Sequence, residues 1–420
     1  MLPIFLALFA SPATAGNPLL VSGPYGSSPG GVPYRWADNT VSYYTDLGGL
    51  GNQTNAEAND LVATAFQVWA DVETADLNFG RLGALNVDIN ADNILDFVNE
   101  VSNCDQPENA VIYDLDGSAI EEMGFDNNSV LGFAIATCIN MEETRFTSGL
   151  ALLNGRFIDG QPDTAAHQSL TLDEFRSAFV HEFGHLIGLG HSQINVNCLT
   201  DINCPDEDLD GVPVMFPFLL RTSSEAVLTL DDRSAVSMLY PSSTMSSTTG
   251  RIRGRVMFSD GLTPAQGYNV VIRSVDSPRD TAVSSVSGFL FTPAAGNELV
   301  PDLQDTYISF GSRDPALIGY YDAAGLPPGE YTVEVEAIHN SGYTAFVGDS
   351  GVGPIGDYLG FQFKMPGRCD LQFLHNPSSP SDGCSDYTIL NISAGQDLNV
   401  NTDAILLGTP PRYDAWEDGE

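Results

Sequence analysis

Residues 181–191 read His181-Glu182-Phe183-Gly184-His185-Leu186-Ile187-Gly188-Leu189-Gly190-His191. On a helix, residues four apart share a face, so His181 and His185 can turn their imidazoles toward one ion with Glu182 beside them. Gly188 has no Cβ and can take positive φ, so the chain can turn and bring His191 back as a third ligand. Three nitrogen ligands leave the fourth position of a tetrahedral ion open, which is the pattern of a catalytic rather than a structural zinc site. Two histidines with an acid between them would be a weak signal. Here half of the six histidines of the chain fall in this one window together with the required Glu and Gly.

Outward from this segment, Leu170 to Leu189 reads as one helix. Thr171 or Asp173 caps it, Glu174 sits in its first turn, and Phe175, Phe179 and Leu186 form an apolar face. Upstream, Thr40–Tyr44 reads as a strand and Ala56–Val72 as a helix burying Leu61, Ala65, Val68 and Trp69. Between Ala110 and Asn154 three strand-like runs, Val111–Tyr113, Val130–Ala136 and Gly149–Leu153, alternate with turns rich in Asp, Asn and Gly.

HExxHxxGxxH is the metzincin signature, and Ser192 after the third histidine resembles the matrixin branch. Pro213-Val214-Met215-Phe216-Pro217 resembles the Met-turn, and Leu230–Tyr240 and Trp36–Phe79 resemble the last helix and the first strand and helix of matrixin catalytic domains. The resemblance implies an α+β metzincin domain: a twisted, mostly parallel sheet with a zinc-binding active-site helix, over residues 33–241. It implies one catalytic zinc held by His181, His185 and His191, Glu182 as general base, and Met215 as an apolar floor that does not ligate. It also implies that Val130, Leu131, Gly132 and Phe133 pair with substrate backbone and that Phe216, Pro217 and Phe218 wall a side-chain pocket. The departures are a long stretch between His191 and Met215 containing Cys198 and Cys204, no histidine-rich structural zinc site, and no propeptide cysteine switch. These point to the bacterial type of matrixin.

Composition changes at Pro241. Residues 242–250 read as a polar linker, and residues 251–408 as an all-β sandwich with strands at Arg251–Phe258, Asn269–Ser274, Gly288–Thr292, Tyr331–Ala337 and Asp397–Leu406, followed by a tail, 409–420. This region resembles the transthyretin-like module found as carboxypeptidase regulatory-like domains. Because every candidate catalytic group precedes Pro241, the catalytic unit is expected to work without it.

The N-terminal apolar run ending in Ala13-Thr14-Ala15 reads as a signal peptide, residues 1–15, followed by a flexible segment, 16–32. No later run is long enough to span a bilayer. A net charge of −39, with 55 acidic against 16 basic residues, excludes nucleic acid as a partner. The acidic loops at Asp114 and Asp116 and at Asp206, Asp208 and Asp210 are candidate calcium sites. The six cysteines suggest the pairs 198–204 and 369–384, leaving Cys104 for Cys138. Together these describe a secreted, monomeric zinc endopeptidase acting on protein or peptide substrates. Two rival readings are a metzincin scaffold serving in extracellular binding or adhesion, and a zinc hydrolase of non-peptide amides.

Overall fold

β-Branched and aromatic runs supply a central sheet, and apolar stripes on two long helices cover one of its faces. The computed structural model describes residues 17–24, 26–102, 104, 109–164, 167–192, 194, 211–216, 226–291, 311–312, 314–336, 372–374, 387–400 and 404–407. The first sheet contains β1 (Arg35–Trp36), β2 (Thr40–Thr45), β3 (Asn78–Ala84), β4 (Asn109–Asp114), β5 (Gly132–Asn140) and β6 (Arg145–Asn154). Its order is β1-β6-β4-β2-β3, with β5 also on β6. Every pairing is parallel except β5 with β6, which is antiparallel from Gly132↔Leu153 to Asn140↔Arg145.

Helix α1 (Asn55–Ala70) begins at a capping box: Thr54 accepts from the Glu57 N–H, and the Glu57 carboxylate accepts from the Thr54 N–H. It buries Ala58, Val62, Ala65, Phe66 and Trp69, while Leu61 and Val68 lie at the margin of that stripe. The stripe is rotated from the expected one because the Phe66 ring stacks on Phe183 of helix α4 at 3.8 Å between centroids. Two short helices, α2 (Ile94–Val101) and α3 (Ser118–Glu122), pack with a second apolar cluster around Ile112, Val130 and Leu152.

Helix α4 (Leu172–Leu186) has the same capping box between Thr171 and Glu174, so Thr171 and not Asp173 is its cap. Helix α5 (Leu230–Leu239) repeats the device with Thr229 and Asp232. The expected linker contains a helical turn, α6 (Met245–Thr248), whose Met245 is buried. Residues 17–22, expected as part of a flexible segment, are docked instead. The Leu19 N–H donates to Gly188 O and the Gly190 N–H to Asn17 O, so this stretch lies antiparallel to the exit of α4, with Leu19 and Val21 buried. The Gly/Pro/Ser-rich composition of residues 17–32 as a whole concealed that the backbone at its start is satisfied by a neighbour distant in sequence.

The C-terminal strands are β7 (Gly250–Phe258), β8 (Asn269–Ser274), β9 (Ala282–Val286), β10 (Tyr320–Leu326), β11 (Gly329–Glu336), β12 (Gln372–Phe373), β13 (Leu390–Ile392), β14 (Asp397–Asn399) and β15 (Ile405–Leu407). They form two sheets, one built on β7 and one on β11 and β8, over a core that includes Ile252, Val256, Ile272, Tyr321 and Val333. Of the strand expected at Gly288–Thr292, residues 288–290 form a turn in which Gly288 is left-handed with φ 79°, Phe291 makes an isolated bridge to Ser312, and Thr292 lies outside the described residues; β9 lies just before the turn. The two halves are not independent. Leu230, the first residue of α5, belongs to the C-terminal core, and Ile194 packs with Val271 and Ala282. No helix among the described residues is long and apolar enough to cross a membrane.

Cys104 and Cys138 form a disulfide that ties the segment after α2 to β5, as expected by elimination. The proposed pairs 198–204 and 369–384 lie outside the described residues, as do residues 1–16. Closing a loop of sequence separation 34 constrains the unfolded chain by about 3–4 kcal/mol. The double substitution Cys104→Ala/Cys138→Ala is therefore expected to lower the urea midpoint by an amount equivalent to about 2–4 kcal/mol. Equilibrium unfolding beside the oxidised wild type checks this.

Candidate metal centre

Helix α4 can carry three functional groups because its axis is held at several points. Trp69 Nε1–H of α1 donates to Val180 O at 2.8 Å, Trp36 Nε1–H of β1 to Leu186 O at 2.7 Å, and the Tyr240 hydroxyl to Ile187 O at 2.7 Å. Trp36 and Tyr240 thus fasten the last turn of the helix, and the Trp36 N–H also donates to the Tyr240 hydroxyl at 3.1 Å. The helix ends where Gly188 takes φ 100°, and a Cβ there would meet the Phe146 ring. The chain then reverses and brings His191 back beside the helix.

His181 Nδ1 lies 2.7 Å from Val214 O, and His185 Nδ1 lies 2.8 Å from Leu189 O. A carbonyl can only accept, so both Nδ1 atoms carry the proton and both Nε2 atoms present a lone pair. These Nε2 atoms are 3.0 Å apart, and His185 Nε2 is 3.1 Å from His191 Nε2. Two unprotonated nitrogens facing each other at that distance repel unless a cation or a proton lies between them, so the donor set fits a metal ion. Among the described residues this is the one group of three His, Cys, Asp or Glu side chains that could hold one.

All three imidazoles are buried. Burial lowers the His181 and His191 pKa values well below the ordinary range, assisted by neighbouring histidines, and lowers His185 to about 4. The neutral form, the one that ligates, is therefore favoured.

Glu182 is fully buried beside them, and neither carboxylate oxygen has a partner at hydrogen-bond geometry. Desolvation pushes its carboxyl well above the usual range, opposed by the Ala134 backbone N–H of β5. A Cβ on Gly132 would come to 3.6 Å from Glu182 Cγ, which places the start of β5 against this carboxylate. Val130, Leu131 and Phe133 are buried, and their side chains join the two apolar clusters of the sheet. What this stretch can offer a substrate is backbone. β5 has β6 alone as strand partner among the described residues. Phe216 is also buried, while Pro217 and Phe218 lie outside the described residues.

Met215 packs under the helix: a Cβ on Gly184 would collide with Met215 Sδ and come to 3.0 Å from the Trp69 ring. Its loop is held by Asp232, whose carboxylate accepts from the Val214 N–H at 3.0 Å and the Met215 N–H at 3.1 Å. The neighbouring Asp231 is buried too and is pushed up to about 7, first by burial and then by the charge of Asp232.

The candidate calcium residues behave differently. Asp114 accepts from the Gly117 N–H at 3.1 Å and the Ile120 N–H at 2.9 Å, and Asp116 accepts from the Ser118 N–H at 3.1 Å. These N–H donors hold the carboxylates in the turn into α3. Asp206, Asp208 and Asp210 lie outside the described residues.

The roles of Trp36, Tyr240, Asp231 and Asp232 were not legible in the sequence. Thr229 three residues before Asp232 is a capping signature, which marks a helix start, but nothing local marks the reach of Asp232 to the Met215 loop.

Comparison with protein-family models matches residues 35–208 to the Matrixin family, a span that includes His181, Glu182, His185 and His191. The match ends before Met215 and α5. No curated protein matches the chain.

Gly184→Ala is expected to destabilise the fold by about 1–3 kcal/mol by overpacking against Met215, read by thermal unfolding. A pH dependence follows from the imidazoles. Their pKa values are depressed in the folded state, so below the unfolded value of about 6.5 the unfolded chain binds more protons. Stability of the metal-free protein is therefore expected to be complete above about pH 6.5 and to fall as pH drops toward about 4, the value for His185. The raised carboxyls of Glu182 and Asp231 act in the opposite sense, so the measurement is the difference in denaturant midpoint between chelator-treated wild type and His185→Gln across that range, and a difference independent of pH would contradict a buried neutral His185.

Proposed function

Residues 35–208 are a matrixin domain with the zinc metallopeptidase character of that family, and from that premise we propose that the protein is a secreted zinc endopeptidase in which His181, His185 and His191 hold the metal and Glu182 is the general base. The observation that carries the reading is the convergence of three Nε2 atoms, those of His181 and His185 left unprotonated by the carbonyls behind their rings, next to a buried carboxylate. A bound zinc ion supplies a lowered water pKa, about 7, and polarises the scissile carbonyl.

The remaining chemistry belongs to the chain. His181 and His185 are oriented by Val214 O and Leu189 O, which fixes their tautomer and raises their basicity as ligands. Burial alone pushes the Glu182 carboxyl above its usual range, and a divalent cation beside it would favour the carboxylate. In that form it accepts the proton of the attacking water and returns it to the leaving amine. The side of β5 that bears no strand among the described residues begins against Glu182 and can pair with an extended peptide, which would align a scissile bond with the carboxylate. The Cys104–Cys138 disulfide supports an exported setting.

Glu182→Gln preserves shape but cannot accept the proton, so zinc content is expected to persist while peptide cleavage falls by about 10²–10⁴-fold. His185→Ala removes a ligand and is expected to lose metal and activity together. Zinc stoichiometry beside the cleavage rate of a casein-derived peptide decides. A zinc-loaded Glu182→Gln protein cleaving at the wild-type rate would refute the base assignment, and a zinc-loaded wild type inert on every peptide would favour the scaffold reading.

A further inference from the structure

Two of the three imidazoles are anchored through their own rings, and the third is not. His191 Nδ1 has no hydrogen-bond partner among the described residues, whereas His181 and His185 each donate to a carbonyl. The position of His191 must therefore come from the backbone beside it, and the adjoining residue is heavily constrained. The Ser192 N–H donates to Met215 O at 2.8 Å, and the Ser192 hydroxyl donates to Asp231 Oδ2. Asp231 in turn accepts on Oδ1 from the Ser284 N–H at 2.6 Å and from the Ser284 hydroxyl at 3.1 Å. The two serine hydroxyls are 3.1 Å apart, and all three residues are buried.

Ser284 does not belong to the catalytic half. It sits in the middle of β9, which pairs only with β8 among the described strands yet is buried at all five positions. An open sheet edge exposes N–H groups that need acceptors, and a buried carboxylate needs donors. Here each satisfies the other across the interface between the halves. Leu230, inserted into the C-terminal core, and the Ser234 hydroxyl, which donates to Ala324 O of β10, hold α5 against the β domain on either side of Asp231.

We propose that Ser284 of the β domain is a positioning residue for the metal centre: through Asp231 it fixes Ser192 and hence His191, so the third ligand is placed by the C-terminal half of the chain. This departs from the expectation that the catalytic unit is self-contained, and it rests on the reading of His191 as a metal ligand. The chain of contacts is Ser284 to Asp231, Asp231 to Ser192, and Ser192 to His191 by a peptide bond. Loss of the first link lets the last one wander, which weakens metal retention without removing any ligand.

The test is the rate of zinc release to a chelator from the full-length protein, at a temperature well below unfolding, for wild type, Ser284→Ala, Ser192→Ala, the double variant and Ser234→Ala. Residues supporting a ligand typically alter metal affinity by about 10–100-fold, and Ser284 acts one link further out and keeps its backbone donor, so release about 3- to 10-fold faster is expected for Ser284→Ala. The double variant is expected to release no faster than the faster single variant, because both hydroxyls act through one carboxylate. Ser234→Ala breaks a hydrogen bond of the same interface with no link to Ser192, so it is expected to lower thermal stability and leave zinc release unchanged.

Equal release from Ser284→Ala and Ser234→Ala, or additive effects in the double variant, would overturn the proposal while leaving the zinc-peptidase reading intact. A wild type that binds no zinc would overturn both. Asp231→Asn supplies a second, larger perturbation of the same link, and its release must exceed that of Ser284→Ala if the proposal holds.

Discussion

The structure turns on how helix α4 is held. A helix presenting two imidazoles and a carboxylate to one point has to place those groups to a fraction of an ångström, and a lone helix of 15 residues has no means of doing so. Here it is stacked on α1 through Phe66 and Phe183, and bonded through indole N–H groups at Val180 and Leu186 and through a phenol at Ile187. The bonds at Leu186 and Ile187 satisfy carbonyls at the helix end that have no intrahelical partner. The helix that carries the three histidine-site groups His181, Glu182 and His185 is thereby anchored from two sides.

Electrostatics follow from that burial. The low-dielectric surroundings disfavour every charged form at once, lowering the imidazoles and raising Glu182. A divalent ion reverses the cost for the carboxylate and satisfies the nitrogens. The adjacent Asp232 and Asp231 use carboxylates for another purpose. Each collects several N–H or O–H donors and acts as a knot between loops, Asp232 for the Met215 loop and Asp231 for the junction with the β domain. The acidic surplus of the chain therefore contains residues with different physical tasks that look alike as sequence.

Much of the architecture was legible because it rests on local rules. The capping boxes at Thr54 and Thr171 mark helix starts within one turn, and the runs at Val111, Gly149, Arg251 and Asn269 mark strands by period and composition. Local rules misled where a partner was distant. Residues 17–22 looked like an unattached polar leader, yet their backbone pairs with the exit of α4. The Pro/Ser/Thr stretch after Pro241 looked like a spacer, yet Met245 is buried and the adjoining halves share apolar residues.

The eleven residues from His181 to His191 determined by themselves which groups meet at the centre, because helical periodicity and one left-handed glycine are properties of a short stretch of chain. The tertiary structure decided everything that orients those groups: Val214 O behind His181, Trp36 and Tyr240 at the helix exit, the start of β5 against Glu182, and β9 behind Ser192. Those partners lie up to 150 residues from the positions they touch, as with Trp36 and Leu186, and hydrogen-bonding groups on every strand and loop are chemically the same. Only the packing of the whole chain selects which of them come within reach.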